Sequence, residues 1–511
     1  MNNMTIRQML GQKLIFGFHG TELSEEFISL IKEYKIGNVI LFLRNVASAD
    51  QLRRLCAQVR ELIIAETGYP PFIVIDQEGG MVTRLPGDAV TVPGAMAIAA
   101  TGNVENARLA SEITIRQLRG LGPNFNMAPV LDVNNNPANP VIGVCSFGDR
   151  ADWVSAFGVA SAQPYEGSGV LCCGKHFPGH GDTAVDSHLG IPMVEKTEEE
   201  LEKLELIPFR AAAQAGIPAI MISHVMFPNI EPERVPCTMS RKIITGILKE
   251  KMGYEGLILT DCMEMLAIQD HYGTPEGTVA SIKAGVDIAE ISSTIGLMWG
   301  AAKAVNEAAE QGEFDMEEIK ASVEKILRYK QQLFTQVDAD NCNLESDRAA
   351  AEAMARQAIT LCAGQAPLAD EHTFFLGCAD YRASGVGNND GAVRNFVNHM
   401  TAAFGAKGLV TSKNPEEAEI QAAVEAVGQA DRIILSTCNG HLFRGQIALA
   451  EALAATGREL TVVALRNPYD IPALPDCACK IAAYEYSVPT LRGLEQVFRG
   501  GEMTGVCPVA L

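Results

Sequence analysis

The sequence lacks both an excess of positive charge and a long apolar run. Its 62 Asp and Glu outnumber its 41 Lys and Arg, and the formal net charge is -21 at pH 7. Such a surface repels nucleic-acid phosphates and anionic membrane lipids. No apolar run reaches the ~18 residues that a membrane-spanning helix needs. We therefore expect neither nucleic acid nor a membrane as a partner.

The first eight residues lack the charged region, apolar region and small-residue cleavage site of a secretory signal. The 13 cysteines are an odd number and mostly lie in apolar runs, as Cys172 and Cys173 do, where a thiol behaves as a small buried hydrophobe. Both features favour a cytoplasmic protein with reduced thiols. No CxxC pair with a nearby histidine cluster supplies four metal ligands, so we expect no structural metal.

The length and composition predict a packed protein of two domains. The chain has 511 residues, 47% of them apolar and 20% charged. Single hydrophobic cores stop growing near ~250–300 residues, so a chain of this length divides. Polar residues replace the apolar periodicity at about residues 330–350, as is typical of a boundary. We predict a first domain over 1–335, a linker over 336–358 and a smaller domain over 359–511.

Short β-branched runs alternate with amphipathic stretches in the first domain, which predicts a (β/α)8 TIM-like barrel. The expected strands are residues 14–18, 38–42, 72–75, 125–129, 170–173, 219–223, 257–260 and 287–290. Helices are expected between them, for example at 49–66, 104–120, 195–215, 240–251 and 278–284. The second domain is predicted to be an α/β sandwich with a mostly parallel sheet, from strands at 373–377, 408–411, 432–437, 460–465 and 480–484.

Ionisable residues recur at the carboxyl ends of the predicted barrel strands. In a βα barrel these ends form the mouth, where reactive side chains belong. Each such residue is equally compatible with a helix cap or a loop ion pair when taken alone. Together they indicate a polar site; they are Asp76, Lys175, His176, His224 and Asp261.

Residues 174–188 form a glycine-rich segment with three histidines and two aspartates, which predicts a functional loop. Pro178 and Gly179 oppose the helical spacing that a zinc site built on the first two histidines would need. Asp186 and His188 lie two residues apart, so the carboxylate can orient the imidazole as a general acid and base. A purely loop-stabilising pair has the same spacing.

The run from Asp76 to Gly80 places a carboxylate ahead of two glycines, and Arg84 follows. A carboxylate and a guanidinium together suit a hydroxylated ligand. The glycines allow a ligand to approach the backbone, although a simple turn is equally consistent with them. Neither a Walker A motif nor a strand-linked Gly-x-Gly-x-x-Gly is present, so nucleotide binding is not supported.

Four motifs stand in the order and spacing of one known family. They read Asp-Gln-Glu-Gly-Gly at 76–80, Ala-Pro-Val-Leu-Asp-Val at 128–133, Lys-His-Phe-Pro-Gly-His-Gly-Asp-Thr with Asp-Ser-His at 175–188, and Thr-Asp-x-Met at 260–263. Arg-Asn-Pro-Tyr-Asp at 466–470 and the final Pro-Val extend the likeness into the second domain. The chain thus resembles glycoside hydrolase family 3, in its bacterial β-N-acetylglucosaminidase branch.

This resemblance implies a retaining β-N-acetylhexosaminidase that needs no cofactor and acts on glycosides containing β-GlcNAc. It implies that Asp261 is the nucleophile, that His188 is the acid/base and that Asp186 orients it. The remaining implied roles are sugar binding by Asp76, Arg84, Lys175 and His176, a supporting role for His224 and Met263, and a loop-shaping role for His180 and Asp182. The expected substrate is a cell-wall fragment met in peptidoglycan recycling, with a chitin oligosaccharide as the alternative.

The sequence departs from the family pattern at Cys145, where relatives commonly have the arginine of Arg-Ser-Phe-Gly. A thiol cannot replace a guanidinium, so the sugar is held differently or a neighbour such as Arg150 substitutes. Met81 and Cys262 also differ from common family residues. Two other functions stay open: a β-N-acetylglucosaminide phosphorylase, and a sugar-binding protein without catalysis.

Overall fold

The computed structural model describes residues 4–183, 191–379 and 395–511. Within these ranges, eight parallel strands close into a barrel in the order β1 to β8. This confirms the predicted TIM-like fold. The barrel strands are β1 Leu14–Phe16, β2 Asn38–Leu41, β3 Phe72–Ile75, β4 Phe125–Asn126, β5 Leu171–Phe177, β6 Ala219–Ile222, β7 Leu257–Cys262 and β8 Ile288–Ile291.

Alternation along the barrel strands separates two apolar clusters. In β3, Phe72 and Val74 belong to the cluster inside the barrel, while Ile73 and Ile75 pack against the surrounding helices. All four side chains are fully buried, and each contributes about 1.5–3 kcal/mol by leaving water. A strand buried on both faces reads as a continuous apolar run, which explains why the sequence identified these strands.

The helices of the barrel domain largely follow the predicted pattern, and six of those described begin after a polar residue whose side chain caps the helix. Helix α3, for example, begins after Ser48, whose side chain accepts a hydrogen bond from the backbone of Gln51, and ends at Gly68 with φ 80°. The helices are α1 Ile6–Gln12, α2 Glu25–Tyr34, α3 Ala49–Thr67, α4 Ala95–Ala100, α5 Val104–Leu121, α6 Ala151–Ala162, α7 Glu198–Glu202, α8 Leu206–Gln214, the π-helical segment Lys242–Lys251, α9 Leu266–Gln269, α10 Thr274–Ala284, α11 Ile295–Glu310 and α12 Met316–Lys330.

The single helix expected over residues 195–215 is two helices, α7 and α8. Backbone bonds tighten to the i→i+3 pattern at Lys203 and Leu204, which interrupts the α-helix. Glu205 then turns inward, where its side chain accepts hydrogen bonds from Lys196 at 2.5 Å and Asn135 at 3.0 Å. The break at residues 203–205 therefore places the Glu205 carboxylate in partly buried contact with Lys196 and Asn135.

The second sheet has the order β11-β10-β12-β13-β14-β9. Strand β9 is antiparallel to β14 and the other pairs are parallel, so the prediction of a mostly parallel sheet is confirmed. Strand β9 itself was not predicted. The elements are β9 Thr360–Gly364, β10 Thr373–Cys378, α14 Phe396–Phe404, β11 Lys407–Thr411, α15 Glu417–Val427, β12 Arg432–Thr437, α16 Arg444–Ala454, β13 Glu459–Ala464, β14 Cys479–Ala482 and α17 Val488–Phe498.

The segment expected to be a linker contains helix α13, Glu345–Ala358. It contacts α4 of the barrel domain and α17 of the second domain. A packed helix therefore occupies much of the connection, while the predicted domain boundaries remain a prediction. In the described part of the chain, no helix combines the length and the apolar character needed to cross a bilayer.

Candidate active site

A cavity of about 480 Å³ opens at the carboxyl ends of the barrel strands. We call it the mouth cavity. It collects five of the sequence-predicted site residues, although they come from three different strand ends. These five are Asp76, Arg84, Lys175, His176 and Asp261.

Lys175 bridges two carboxylates on one side of the mouth cavity. Its Nζ lies 2.9 Å from Asp76 Oδ1 and 2.6 Å from Glu78 Oε1. Burial alone would raise the pKa of Asp76, but the charges of Lys175 and Arg84 outweigh it and lower that pKa. Burial likewise opposes the charge on Lys175, yet Asp76 and Glu78 raise its pKa above the usual value. Both groups are therefore charged at neutral pH, ready to bind hydroxyl groups.

Arg84 is held beside this pair by its own backbone. Its backbone N–H donates to Gln77 Oε1 at 2.9 Å, and the same oxygen accepts from the Thr83 hydroxyl at 2.9 Å. The side chain is buried and lines the mouth cavity. Arg84 and Asp76 thus line the same cavity, and their role in binding a hydroxylated ligand stays a prediction.

The glycines at 79 and 80 serve the packing of the chain itself. Their φ angles are 96° and 53°, values that L side chains rarely adopt. A Cβ on Gly79 would come within 2.6 Å of the Pro93 carbonyl, and one on Gly80 within 2.6 Å of Glu485 Oε2. The space beside these glycines is therefore filled by the Pro93 carbonyl and by the Glu485 carboxylate of the second domain, and not left open for a ligand.

Asp132 is a buried carboxylate that positions two histidines. Its Oδ2 accepts from His176 Nδ1 at 2.7 Å, and its Oδ1 accepts from the His180 backbone N–H at 2.7 Å. Burial opposes protonation of His176, but Asp132 outweighs it and raises the pKa of the imidazole. Burial and the neighbouring His176 lower the pKa of His180. Asp132 belongs to the motif at 128–133, but no role was predicted for it.

Asp261 lies near the end of β7 and faces the mouth cavity. Its Oδ1 accepts a hydrogen bond from the Cys262 backbone N–H at 2.8 Å. The next side chain, Cys262, contacts Ser292 Oγ at 3.0 Å. A partly exposed carboxylate on a rigid strand end can reach a reacting carbon in the cavity, which is the geometry that a nucleophile requires.

His224 and Met263 lie behind the cavity wall. His224 Nε2 donates to the Cys262 carbonyl at 2.8 Å. The other ring nitrogen, Nδ1, then accepts from the Thr238 hydroxyl at 2.9 Å. The Met263 backbone N–H donates to the Glu290 carbonyl at 2.8 Å. Both residues are fully buried and hold the backbone next to Asp261.

Two glutamates of the mouth cavity were missed by sequence reasoning. Glu290 lies in the apolar strand β8, and burial together with Asp76 and Asp261 raises its pKa well above the usual value. Glu264 accepts hydrogen bonds from the backbone of Ser292 and Thr294, each at 2.7 Å, at the beginning of α11. An acidic residue within an apolar run was the available signal for Glu290. The sequence held no signal for Glu264, because its partners Ser292 and Thr294 lie in the loop after strand β8.

The predicted acid/base pair, Asp186 and His188, lies outside the described residues. Residues 180 and 181, which precede this pair, are held by hydrogen bonds. Asn139 Nδ2 donates to the carbonyls of His180 at 2.8 Å and Gly181 at 3.0 Å. His180 also lines the mouth cavity. Among the residues that the structure describes, no group of three or more His, Cys, Asp or Glu has an arrangement suited to a metal ion.

Cys145 lines the mouth cavity beside Glu78. Burial raises the pKa of its thiol, and the Glu78 charge raises it further, so it is a neutral donor. The suggested substitute, Arg150, stacks on Trp153 with its guanidinium carbon 4.7 Å from the ring centroid. Arg150 is not among the described residues that line the cavity. That suggestion is not supported.

Comparison with known proteins adds independent findings. Residues 5–329 match the N-terminal domain of glycosyl hydrolase family 3. A β-hexosaminidase A of Pseudoalteromonas piscicida is 37% identical over 319 residues, covering 56% of this chain and 53% of the relative. The chain thus spans about half the length of that protein. A β-hexosaminidase of Alkalilimnicola ehrlichii is 34% identical over 55% of this chain and 80% of its own length.

One solved structure resembles both domains together. The family 3 β-N-acetylglucosaminidase of Paenibacillus sp. str. FPU-7 superposes with a TM-score of 0.93 at 36% identity, covering 99% of either chain. The family match covers more than half of the sequence, and the structural likeness extends over the second domain. The chain therefore belongs to glycosyl hydrolase family 3.

Proposed function

We propose that this protein is a retaining β-N-acetylglucosaminidase that releases terminal GlcNAc from β-glycosides. The observation that carries the proposal is the mouth cavity, where Asp261 lies among ionised partners suited to a sugar. The β-hexosaminidase relatives and the Paenibacillus β-N-acetylglucosaminidase support the same sugar.

In the proposed reaction a carboxylate oxygen of Asp261 attacks the anomeric carbon. The bond from that carbon to the glycosidic oxygen breaks, and His188 gives its proton to the leaving oxygen. Water then attacks the anomeric carbon of the glycosyl-Asp261 ester while His188 takes a proton from the water. The bond from that carbon to the Asp261 oxygen breaks, and the free carboxylate is restored. Two inversions at one carbon give net retention. Asp186 holds the imidazole in the required orientation.

The charged groups on the cavity wall would hold the sugar in the reacting position. Asp76 accepts hydrogen bonds from hydroxyl groups, and Arg84 and Lys175 donate to sugar oxygens. His176, fixed by Asp132, adds a further polar contact. Charge-assisted hydrogen bonds of this kind contribute about 1.5–3 kcal/mol each when they are buried.

The natural substrate in this proposal is a cell-wall fragment, GlcNAc linked to anhydro-N-acetylmuramic acid or to a muropeptide, met during peptidoglycan recycling in the cytoplasm. The resemblance of the motifs to the bacterial β-N-acetylglucosaminidase branch motivates this choice. A comparison of kcat/KM for purified cell-wall fragments and for chitin oligosaccharides distinguishes these two substrate classes. A preference for chitin oligosaccharides would contradict this choice.

The reaction is tested with an aryl β-N-acetylglucosaminide. We expect turnover by the wild type and a loss of kcat of about a thousandfold or more in Asp261→Asn, because the nucleophile is removed. Asp270→Asn, at the exposed end of helix α9, is the matched control and should keep wild-type activity. The first-formed product, followed by NMR, should be the β-anomer.

The same assay decides between the remaining functions. A wild type that is as inactive as Asp261→Asn while still binding GlcNAc would contradict catalysis and favour a sugar-binding protein. Release of GlcNAc-1-phosphate in phosphate buffer, in place of free GlcNAc, would favour a phosphorylase. The α-anomer as first product would contradict retention.

A further inference from the structure

The segment after strand β13 of the second domain packs directly against the barrel. Asn134 Nδ2 donates to the Tyr469 hydroxyl at 2.7 Å. Tyr469 also shares an apolar cluster with Met81 and Val144 of the barrel. Asn467, two residues before Tyr469, packs so closely on Gly143 that a Cβ added to this glycine would lie 2.5 Å from Asn467 Oδ1. The loop that carries Cys145 and this segment therefore form one packed unit.

Arg466 begins this segment and reaches the mouth cavity. It lines the cavity together with Asp76, Lys175 and Asp261, although it belongs to the other domain. Only 4% of its surface is exposed. Burial and Glu78 raise the pKa of the Cys145 thiol, and the nearby charge of Arg466 offsets this rise only in part. A buried guanidinium thus lies on the same side of the cavity as Cys145.

The position of Cys145 is where family members commonly carry the arginine that contacts the sugar. A neutral thiol cannot make the two parallel donations of a guanidinium. We propose that Arg466 supplies this missing guanidinium, so that the second domain completes the sugar-binding site by donating hydrogen bonds to neutral oxygens of the GlcNAc residue. This inference rests on the proposed function for the identity of the sugar.

The segment around Arg466 is built to hold it in place. Asp470 accepts from the Thr437 hydroxyl at 2.7 Å and from His441 Nδ1 at 2.8 Å, which anchors the far end of the segment. Glu485, which follows β14, accepts from the Gly94 backbone N–H at 2.9 Å and adds a contact between the domains. These contacts fix the second domain against the barrel, and groups fixed before binding lose little conformational entropy when a sugar binds.

The test compares Arg466→Gln with Arg492→Gln in the full chain. Arg492 pairs with Glu352 at 2.5 Å on the surface and does not line the mouth cavity, so it controls for the loss of an arginine from this domain. We expect Arg466→Gln to weaken GlcNAc binding, measured by calorimetry, and to lower kcat/KM for the aryl glycoside, each by about tenfold to a hundredfold. Arg492→Gln should match the wild type in both.

A restoration experiment distinguishes sugar binding from a structural role. Cys145→Arg in the Arg466→Gln background returns a guanidinium to the same side of the cavity and should recover at least several-fold of the lost affinity. GlcNAc affinity of Arg466→Gln within twofold of wild type would overturn the proposal. A loss that Cys145→Arg does not restore at all would also overturn it.

A second variant and a binding measurement cover the cases in which Arg466→Gln does not fold or the wild type is inactive. Should Arg466→Gln not fold, Arg466→Lys replaces it: a contact through two guanidinium nitrogens predicts weaker GlcNAc binding by at least about threefold, and wild-type affinity overturns it. Calorimetry with GlcNAc needs no turnover. A wild type that binds GlcNAc without hydrolysing the aryl glycoside would therefore contradict the proposed reaction and leave the Arg466 comparison valid.

Discussion

At the residue scale, the mouth cavity separates carboxyl groups by their surroundings. Asp76 has Lys175 and Arg84 beside it, and its pKa is lowered. Glu290 is buried near Asp76 and Asp261, and its pKa is raised well above the usual value. The surroundings of Asp76 thus favour its charged form, and those of Glu290 favour its protonated form. Opposite environments give the same functional group different chemistry within one cavity.

The raised pKa of Glu290 predicts a pH-dependent effect on stability. Between the unfolded glutamate pKa of ~4.3 and the higher folded pKa, the folded protein binds more protons at this site. Stability is therefore present at low pH and is lost as pH rises through the folded pKa. Glu290→Gln cannot ionise, so its thermal midpoint should rise relative to wild type from pH 5 to pH 8.

Glu310→Gln, at the exposed end of α11, is the control and should keep a constant offset from wild type across this range. Scanning calorimetry of the three proteins at several pH values measures the effect. A constant offset for Glu290→Gln as well would contradict a raised pKa at Glu290.

At the scale of elements, the segment before the predicted acid/base pair depends on close backbone contact. A Cβ on Gly181 would come within 1.7 Å of the Val133 carbonyl. That carbonyl follows Asp132, which holds His176 and His180. Gly181 therefore packs directly against the backbone that holds the two histidines. There is no space for a methyl group at position 181.

We predict that Gly181→Ala lowers kcat/KM for an aryl β-N-acetylglucosaminide by about a hundredfold, because a shift of about 1 Å in a positioning element has an effect of this size. Gly296→Ala is the matched control. Gly296 lies in α11 with no neighbour within 4 Å of an added Cβ, so the substitution should keep activity and stabilise the helix by up to about 1 kcal/mol. Equal activity of both variants would refute the prediction.

At the scale of the whole molecule, the two domains share buried contacts next to the site. The Tyr469 hydroxyl accepts from Asn134 Nδ2 and donates to the Asn134 carbonyl at 3.3 Å. Met96 and Tyr484 lie in the same apolar cluster as Tyr469. The second domain therefore contributes to the stability of the barrel mouth as well as to its lining.

Tyr469→Phe tests this coupling. Losing the hydroxyl leaves Asn134 without that partner in a buried place, which costs about 1–3 kcal/mol. We expect the thermal midpoint to fall by a few degrees, about 2–6 °C, and KM for the aryl glycoside to rise. Tyr272→Phe, whose hydroxyl bond to the Arg234 carbonyl is exposed, should change neither value. An unchanged midpoint in Tyr469→Phe would show that the domain contact adds no stability.

The sequence by itself determined the barrel, the mostly parallel second sheet and five of the residues that line the mouth cavity. Strands such as Phe72–Ile75 are apolar throughout, and the residue that follows each strand is known once the strand is recognised. These are local properties, carried by neighbours in the chain. Strand β9 escaped recognition because much of it is exposed or half-buried and it lies at the edge of the sheet.

Only the tertiary structure decided which side chains share the cavity and in what charge state. Asp132 holds His176, 44 residues away, and Glu290 is surrounded by groups from other strands. Arg466 reaches the site from a second domain whose nearby contact, between Asn134 and Tyr469, joins residues 335 apart. Burial and electrostatic coupling depend on distance in space, which barrel closure and domain packing set. No local pattern in the sequence contains that distance.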